Sequence, residues 1–164
     1  MAQGVVYLNA DGFIILANPA AEKILGLPLD EMLGARSNDP RWKFVCEDGR
    51  EFPQEQHPSV VALRTGQKVI GVVMGIVHPK DEQQRWLQID AIPEFRVGGS
   101  MPHQAYVTLT DITDRKHAEQ QLEESEARYQ LAISATDAIA YVSHRARTGH
   151  HWQGAHRRTV QGDE

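Results

Sequence analysis

The chain has 164 residues, 41% of them hydrophobic, so it is long enough for one domain with its own core and a further segment. Its net charge of −5 gives no general attraction to nucleic acid or acidic membranes, and a single cysteine, Cys46, excludes an internal disulfide and a Cys-based zinc site. Without a secretory signal or an apolar run that spans a bilayer, we expect a cytoplasmic protein with no direct membrane contact.

The N-terminal segment predicts a β-hairpin followed by a short helix. Residues 5–8 and 13–17 are apolar runs, and Asp11-Gly12 between them supplies the backbone freedom of a tight turn. Asn18-Pro19 is typical of an N-cap followed by proline at the first helical position, and Gly26 ends this helix.

A second short helix is predicted for residues 29–33, with Asp30 as its cap and Gly34 at its end. Residues 35–56 are polar and interrupted by prolines, which predicts an irregular segment. Its apolar anchors are expected to be Trp42, Phe44, Val45 and Phe52.

One longer helix and three strands complete the predicted domain. The helix extends from Pro58 to Gly66, and the strands cover residues 69–78, 86–95 and 104–110 with hairpin-like connections. The sequence therefore predicts an α+β domain, in which a five-stranded antiparallel sheet has short helices packed on one face and is followed by a long C-terminal helix.

The order of these elements, with the segments ANPAAEKILG, ALRTG and DITDRKHAEQQL, resembles a PAS sensory domain over residues 4–113. The resemblance implies a non-catalytic bacterial sensor that binds a small ligand or a partner. Its catalytic output would lie on another domain, such as the histidine kinase of a two-component system or a diguanylate cyclase. Asp111 and Thr113 resemble the motif that joins such domains to a signalling helix, and Thr113 is expected to cap that helix.

Residues 114–135 predict a signalling helix with a coiled-coil seam. The seam residues alternate at four- and three-residue spacing: Ala118, Leu122, Ser125, Tyr129 and Ala132. A parallel pair of these helices would make a homodimer. The alternative is a solvated helix that packs on its own sheet.

Residues 136–164 are expected to be the truncated start of a second PAS domain or a disordered tail. Histidines concentrate there, at His144, His150, His151 and His156, but the arginines between them disfavour a metal site. The same arginines could contact nucleic acid, which the acidic remainder of the chain disfavours, so no nucleic-acid partner is expected.

A ligand pocket between helices and sheet is the main candidate site. Its candidate lining residues are Trp42, Phe44, Val61, Val73, Met74, Leu87, Ile89 and Leu109. Core packing alone also explains these residues, which leaves a ligand-free protein–protein interaction module as an alternative.

Cofactor and enzyme hypotheses depend on Cys46 and His57. Cys46 lies outside any resemblance to the reactive-cysteine motif of flavin-binding photosensors, and His57 adjoins Pro58 at a helix start, where we expect it at the surface. Neither flavin nor haem is therefore expected, and the identity of any other cofactor stays open. A small Cys-dependent enzyme using Cys46 with His57 is the remaining alternative.

Overall fold

Residues 2–148 are described by the computed structural model, and within them six strands form one antiparallel sheet. The strands are β1 (Gly4–Asn9), β2 (Ile14–Ala17), β3 (Lys43–Val45), β4 (Val69–Val77), β5 (Gln84–Phe95) and β6 (Pro102–Asp111). Their order across the sheet is β2-β1-β6-β5-β4-β3. The helices are α1 (Pro19–Leu25), α2 (Leu29–Met32), α3 (Pro58–Thr65) and α4 (Thr113–Thr148), and a 3-10 turn (Gln54–Gln56) precedes α3. The predicted α+β class is confirmed.

The hairpin and α1 form as predicted because one side chain serves both. Asn18 Oδ1 accepts hydrogen bonds from Ala21 N in the first turn of α1 and from Val5 N in β1, each at 2.9 Å. Pro19 occupies the start of the helix, and Gly26 ends it in the left-handed conformation with φ 76°. Asn18 therefore fixes the start of the helix to β1.

The prediction of five strands missed β3. Phe44 was expected as an anchor in an irregular segment, but it pairs with Ile76 of β4 and its carbonyl accepts a bond from Phe52 N. A strand of only three residues shows no alternation that a sequence can reveal, and its pairing depends on a strand much later in the chain.

The predicted cap of α2 was also wrong. The helix begins at Leu29, one residue before Asp30, and Pro28 at the N-cap position has no side chain that can accept a bond. Glu22 from α1 replaces it, because its Oε1 accepts a hydrogen bond from Leu29 N at 2.7 Å.

The core lies between one face of the sheet, here called the inner face, and the short helices. Along β1 and in the middle of β5, buried residues alternate with residues that are more exposed, whereas in β6 Thr108 is buried together with its neighbours Val107 and Leu109. The buried residues that these strands and β4 contribute to the inner face are Val6, Leu8, Met74, Ile76, Leu87, Ile89, Ala91, Ala105, Val107 and Leu109.

Helix α4 is longer than predicted, since it continues to Thr148 rather than ending near residue 135. The chain divides into a first unit, Met1–His117, and a second unit that begins at Ala118. The predicted tail at 136–164 is therefore helical in its described part, and residues 149–164 lie outside the described residues. Across residues 2–148, no helix combines the length and apolar character needed to cross a membrane.

Candidate functional site

An apolar cavity of about 30 Å³ lies within the core. Side chains from β1, β2, β3, β5, β6 and the end of α1 line it, together with residues that precede β3 and α3. The lining residues are Val6, Leu8, Ile14, Leu25, Ser37, Trp42, Phe44, His57, Ile89, Val107 and Leu109. Ser37 and His57 are therefore its polar groups. A cavity of this volume has room for about two water molecules or a very small organic molecule.

His57 is buried, so the prediction that it lies at the surface was wrong. Only 4% of the residue is exposed, and its ring packs edge-on against Phe44 with the ring centroids 5.1 Å apart. Nδ1 lies 2.8 Å from Ser59 Oγ, which in turn lies 2.6 Å from Ser37 Oγ. Burial lowers the pKa of His57 from 6.5 to about 4, so its imidazole is neutral at pH 7.

Sequence reasoning missed this chain of three polar side chains. A signal was present at the start of α3, where the small residues Ser59 and Ala62 are both fully buried. Small residues at this spacing indicate that one face of a helix lies close against a core. That face also brings the preceding His57 inward.

Trp42, Phe44 and His57 line both the cavity and a surface groove of about 510 Å³. Trp42 is 3% exposed, and its Nε1 donates a hydrogen bond to the carbonyl of Leu25 at 3.0 Å. These three side chains thus form a common wall between the cavity and the groove. Movement of this wall would be needed for a ligand to pass from the groove into the cavity.

The structure places the eight predicted pocket residues in four different environments. The residues that line the cavity are Trp42, Phe44, Ile89 and Leu109. Met74 and Leu87 are fully buried in the core away from the lining, and Val61 is half-buried on α3. Val73 lies on the outer face, because its neighbour Val72 pairs with the cavity residue Ile89. Contact of the lining residues with a ligand stays a prediction.

Asp111 and Thr113, the predicted junction, meet the backbone of Trp86 on β5. Thr113 donates two bonds to Asp111 Oδ1, from its N at 2.9 Å and from its Oγ1 at 2.6 Å. Thr113 Oγ1 accepts a bond from Trp86 N at 3.0 Å, and Ile112 N donates to the Trp86 carbonyl at 2.8 Å. Both backbone polar groups of Trp86 are thus bonded to residues at the start of α4.

Thr113 is the first residue of α4 rather than the N-cap that the sequence predicted. The carbonyl of Ile112 accepts the bond from Lys116 N that opens the helix. The hydroxyl of Thr113 bonds Trp86 and Asp111, so it contributes to the junction instead of capping helical amides.

Lys116 gives α4 a second attachment to the domain. Its Nζ lies 5.4 Å from the centroid of the Trp86 ring and forms an ion pair with Glu47. Glu47 lies just beyond β3, whose Phe44 lines the cavity. The first turn of α4 therefore contacts β5 and the segment after β3, and both strands contribute a residue to the cavity lining.

The predicted seam residues of α4 are exposed. Leu122 and Tyr129 are 61% and 66% exposed, and Ala118 is exposed as well. The four- and three-residue spacing continues beyond the predicted end of the helix to Ile139, which is 67% exposed. A partner helix in a coiled coil would cover exposed apolar residues at this spacing. The homodimer itself stays a prediction.

Cys46 and His57, the candidate catalytic pair, form hydrogen bonds to different partners. Cys46 is half-buried and its Sγ bonds the carbonyl of Glu51 at 3.9 Å, whereas His57 bonds Ser59. Residues 2–148 contain no group of three or more His, Cys, Asp or Glu side chains placed to hold a metal ion. The clustered histidines after His144 lie outside the described residues.

A family model described as PAS fold matches residues 1–117. Among solved structures, an RNA-binding light-oxygen-voltage receptor is 22% identical with a TM-score of 0.56, over 76% of this chain and 34% of that chain. A PAS domain from Colwellia psychrerythraea is 21% identical with a TM-score of 0.51, over 68% and 87%. The Aureochrome1 LOV domain is 16% identical with a TM-score of 0.53, over 77% and 86%.

These structural matches establish a shared fold at low sequence identity. The chain spans only about a third of the RNA-binding receptor's length. No curated protein matches it.

Proposed function

The chain belongs to the PAS fold family, and from that premise we propose that it is the sensory and dimerisation module of a bacterial signal-transduction protein. It would bind a small ligand in the core cavity and relay the change through α4. The module itself would not be catalytic. The output would lie on an attached domain such as a histidine kinase or a diguanylate cyclase.

The bonding of Trp86 to the start of α4 is the observation that carries this proposal. Strand β5 holds both Trp86 and Ile89, and Ile89 lines the cavity. A ligand that displaces Ile89 would move the strand whose N–H and carbonyl hold Thr113 and Ile112. Population of a second strand position would then bias the start of α4, because packed elements shift between discrete arrangements.

A ligand-free interaction module is the second candidate, and the small volume of the cavity favours it. About 30 Å³ is far below the volume of an ordinary ligand pocket, so the core could be complete without a ligand. In that case a partner protein, rather than a small molecule, would set the position of β5 and α4.

Native mass spectrometry of the freshly purified chain separates the two candidates. A dimer with a reproducible extra mass supports the ligand sensor and weighs its ligand. A dimer at the bare sequence mass favours the interaction module. A persistent monomer refutes the dimerisation part of the proposal.

The junction that the relay requires is tested at Asp111, which accepts two hydrogen bonds there. Asp111→Ala frees the Thr113 hydroxyl to rotate away from Trp86, so hydrogen exchange at the Trp86 amide should accelerate roughly tenfold, in line with loss of a part-buried bond. Asp114→Ala, at an exposed position in the first turn of α4, is the matched control. Unchanged exchange in Asp111→Ala would refute the junction.

A further inference from the structure

Among the described residues, two buried side-chain nitrogens have no hydrogen-bond partner: His57 Nε2 and His78 Nδ1. His78 Nδ1 still lies 3.2 Å from the carboxylate of Asp81, so His57 Nε2 is the one of the two with no polar side chain beside it in the described part of the chain. His57 Nε2 is buried and has no hydrogen-bond partner among residues 2–148, whereas Nδ1 of the same ring faces Ser59. An unpaired buried polar atom costs about 1–3 kcal/mol, so native proteins rarely retain one without a role. His57 also lines the apolar cavity, where a bound molecule could supply the missing partner.

The two serines allow Nε2 to act as a donor or an acceptor. In one arrangement Nδ1–H donates to Ser59, Ser59 donates to Ser37, and Nε2 presents a lone pair. In the other, Ser37 donates to Ser59, Ser59 donates to Nδ1, and Nε2 carries the proton. Both fit the spacings of 2.8 and 2.6 Å, because hydroxyl protons rotate and neutral imidazole has two tautomers.

Charge excludes ionised ligands from this cavity. Its lining contains no Asp, Glu, Lys or Arg among the described residues, and the neutral state of His57 removes the remaining source of charge. An anion or a cation would therefore be buried without a counter-charge, at a cost that a single hydrogen bond does not offset.

We propose that the cavity binds an uncharged, mainly apolar molecule of a few heavy atoms with one hydrogen-bonding group, such as a small ketone or alcohol, held by His57 Nε2. This rests on the proposed sensory function and specifies the chemical class of its ligand. The cavity volume of about 30 Å³ sets the size, and the apolar lining contributes hydrophobic burial.

Three probes of the same trigonal shape test the proposal: acetone, isobutene and acetate. Binding to the full ¹⁵N-labelled chain at pH 7 is followed by NMR at the Trp42 indole N–H and the His57 ring nitrogens. Acetone should bind and shift Nε2, isobutene should bind without shifting Nε2, and acetate should not bind. Acetate binding as tightly as acetone, or binding of neither neutral probe, would overturn the proposal.

Two substitutions then separate the ring nitrogens. His57→Asn keeps an amide near the Nδ1 position for Ser59 and removes Nε2, whereas His57→Gln places an amide near the Nε2 position. Because the two probes have the same shape, a change in cavity volume should alter both affinities equally and leave the ratio of acetone to isobutene affinity unchanged. This ratio should fall about fivefold to tenfold in His57→Asn, as one net hydrogen bond predicts, and recover in His57→Gln. An equal ratio in all three proteins would overturn the assignment of Nε2.

If a variant does not fold, the wild-type spectra still test the proposal. It requires that acetone shifts the Nε2 resonance of the wild-type protein and that isobutene does not. Failure of the sensory proposal gives a different result. If acetone binds but the amides of Trp86 and Thr113 do not respond, the ligand class stands and the relay fails. If native mass spectrometry reveals a charged ligand, the sensor stands and the ligand class is wrong.

Discussion

Acidification from pH 7 to pH 5 should weaken the fold through His57. Burial places its pKa at about 4 in the folded protein, against 6.5 for an ordinary histidine. The folded value is the lower one, so between these values the unfolded chain binds more protons than the folded chain. The stabilisation is therefore complete above pH 6.5 and is lost as the pH falls through the folded pKa.

The magnitude follows from the same two values. The full difference corresponds to about 3 kcal/mol of unfolding free energy, at about 1.36 kcal/mol for each pH unit between the two pKa values. Between pH 7 and pH 5, about 2 kcal/mol of this should disappear. Few domains exceed 15 kcal/mol in total stability, so the loss is readily measured.

Acidic groups with shifted pKa values titrate below this window. A hydrogen bond from the side chain of Arg50 lowers the pKa of Asp48 from 3.8. The backbone N–H of Gln83 likewise lowers the pKa of Asp81 from the same value. Measurements at pH 5 and above therefore avoid both groups.

Urea unfolding at pH 7, 6 and 5, monitored by tryptophan fluorescence at one protein concentration, measures the effect. His57→Gln has no titratable ring and should lose most of the pH dependence, while His103→Gln is the control for removal of a half-buried imidazole on β6. If wild type and His57→Gln lose equal stability between pH 7 and pH 5, His57 is not buried in the neutral form and the reasoning fails.

Two further predictions use matched pairs of positions. Gly26→Ala places a Cβ 2.5 Å from His78 Nε2 at φ 76°, whereas Gly34→Ala has the same left-handed backbone with no described atom within 4 Å. In urea unfolding, the free energy of unfolding should fall by about 1–2 kcal/mol in Gly34→Ala and by at least about 1 kcal/mol more in Gly26→Ala. Equal losses in the two variants would contradict the close packing of Gly26 against His78. On α4, Leu122→Glu should raise the dimer dissociation constant at least about tenfold in sedimentation equilibrium, and Leu131→Glu, off the seam and 71% exposed, should not. Equal effects of the two substitutions would place the interface elsewhere.

Local chemistry explains what the sequence could predict. Asn18 and Gly26 define α1 through bonds and a backbone angle within a few residues, and those features occur as expected. Asp111 and Thr113 were identified from their resemblance to a family motif, and the bonds between them lie within three consecutive residues. Buried and more exposed residues alternate in the middle of β5, a local pattern that the sequence also displays.

Long-range contacts explain what the sequence missed. The ring of His57 packs against Phe44, and its bonding partner Ser59 is bonded to Ser37. Because Phe44 and Ser37 lie well before His57 in the chain, the burial of His57 depends on long-range contacts. Pro58 next to it suggested only an exposed helix start. The end of α4 was missed for another reason: the resemblance of residues 136–164 to the start of a second PAS domain placed a boundary near residue 135, but the helix continues through it.

The geometry around Lys116 and Trp86 gives a reason why a cavity this small could serve a sensor. Phe44 and Ile89 line the cavity from different strands, and each strand continues to a contact with the first turn of α4. Close-packed cores have few voids, so a molecule of a few atoms that displaces either side chain must move its strand. A large pocket would accommodate the same ligand through side-chain rearrangements, without movement of a strand. Under the proposed function, a tight cavity with two connections to one helix converts a small volume change into a change of helix position.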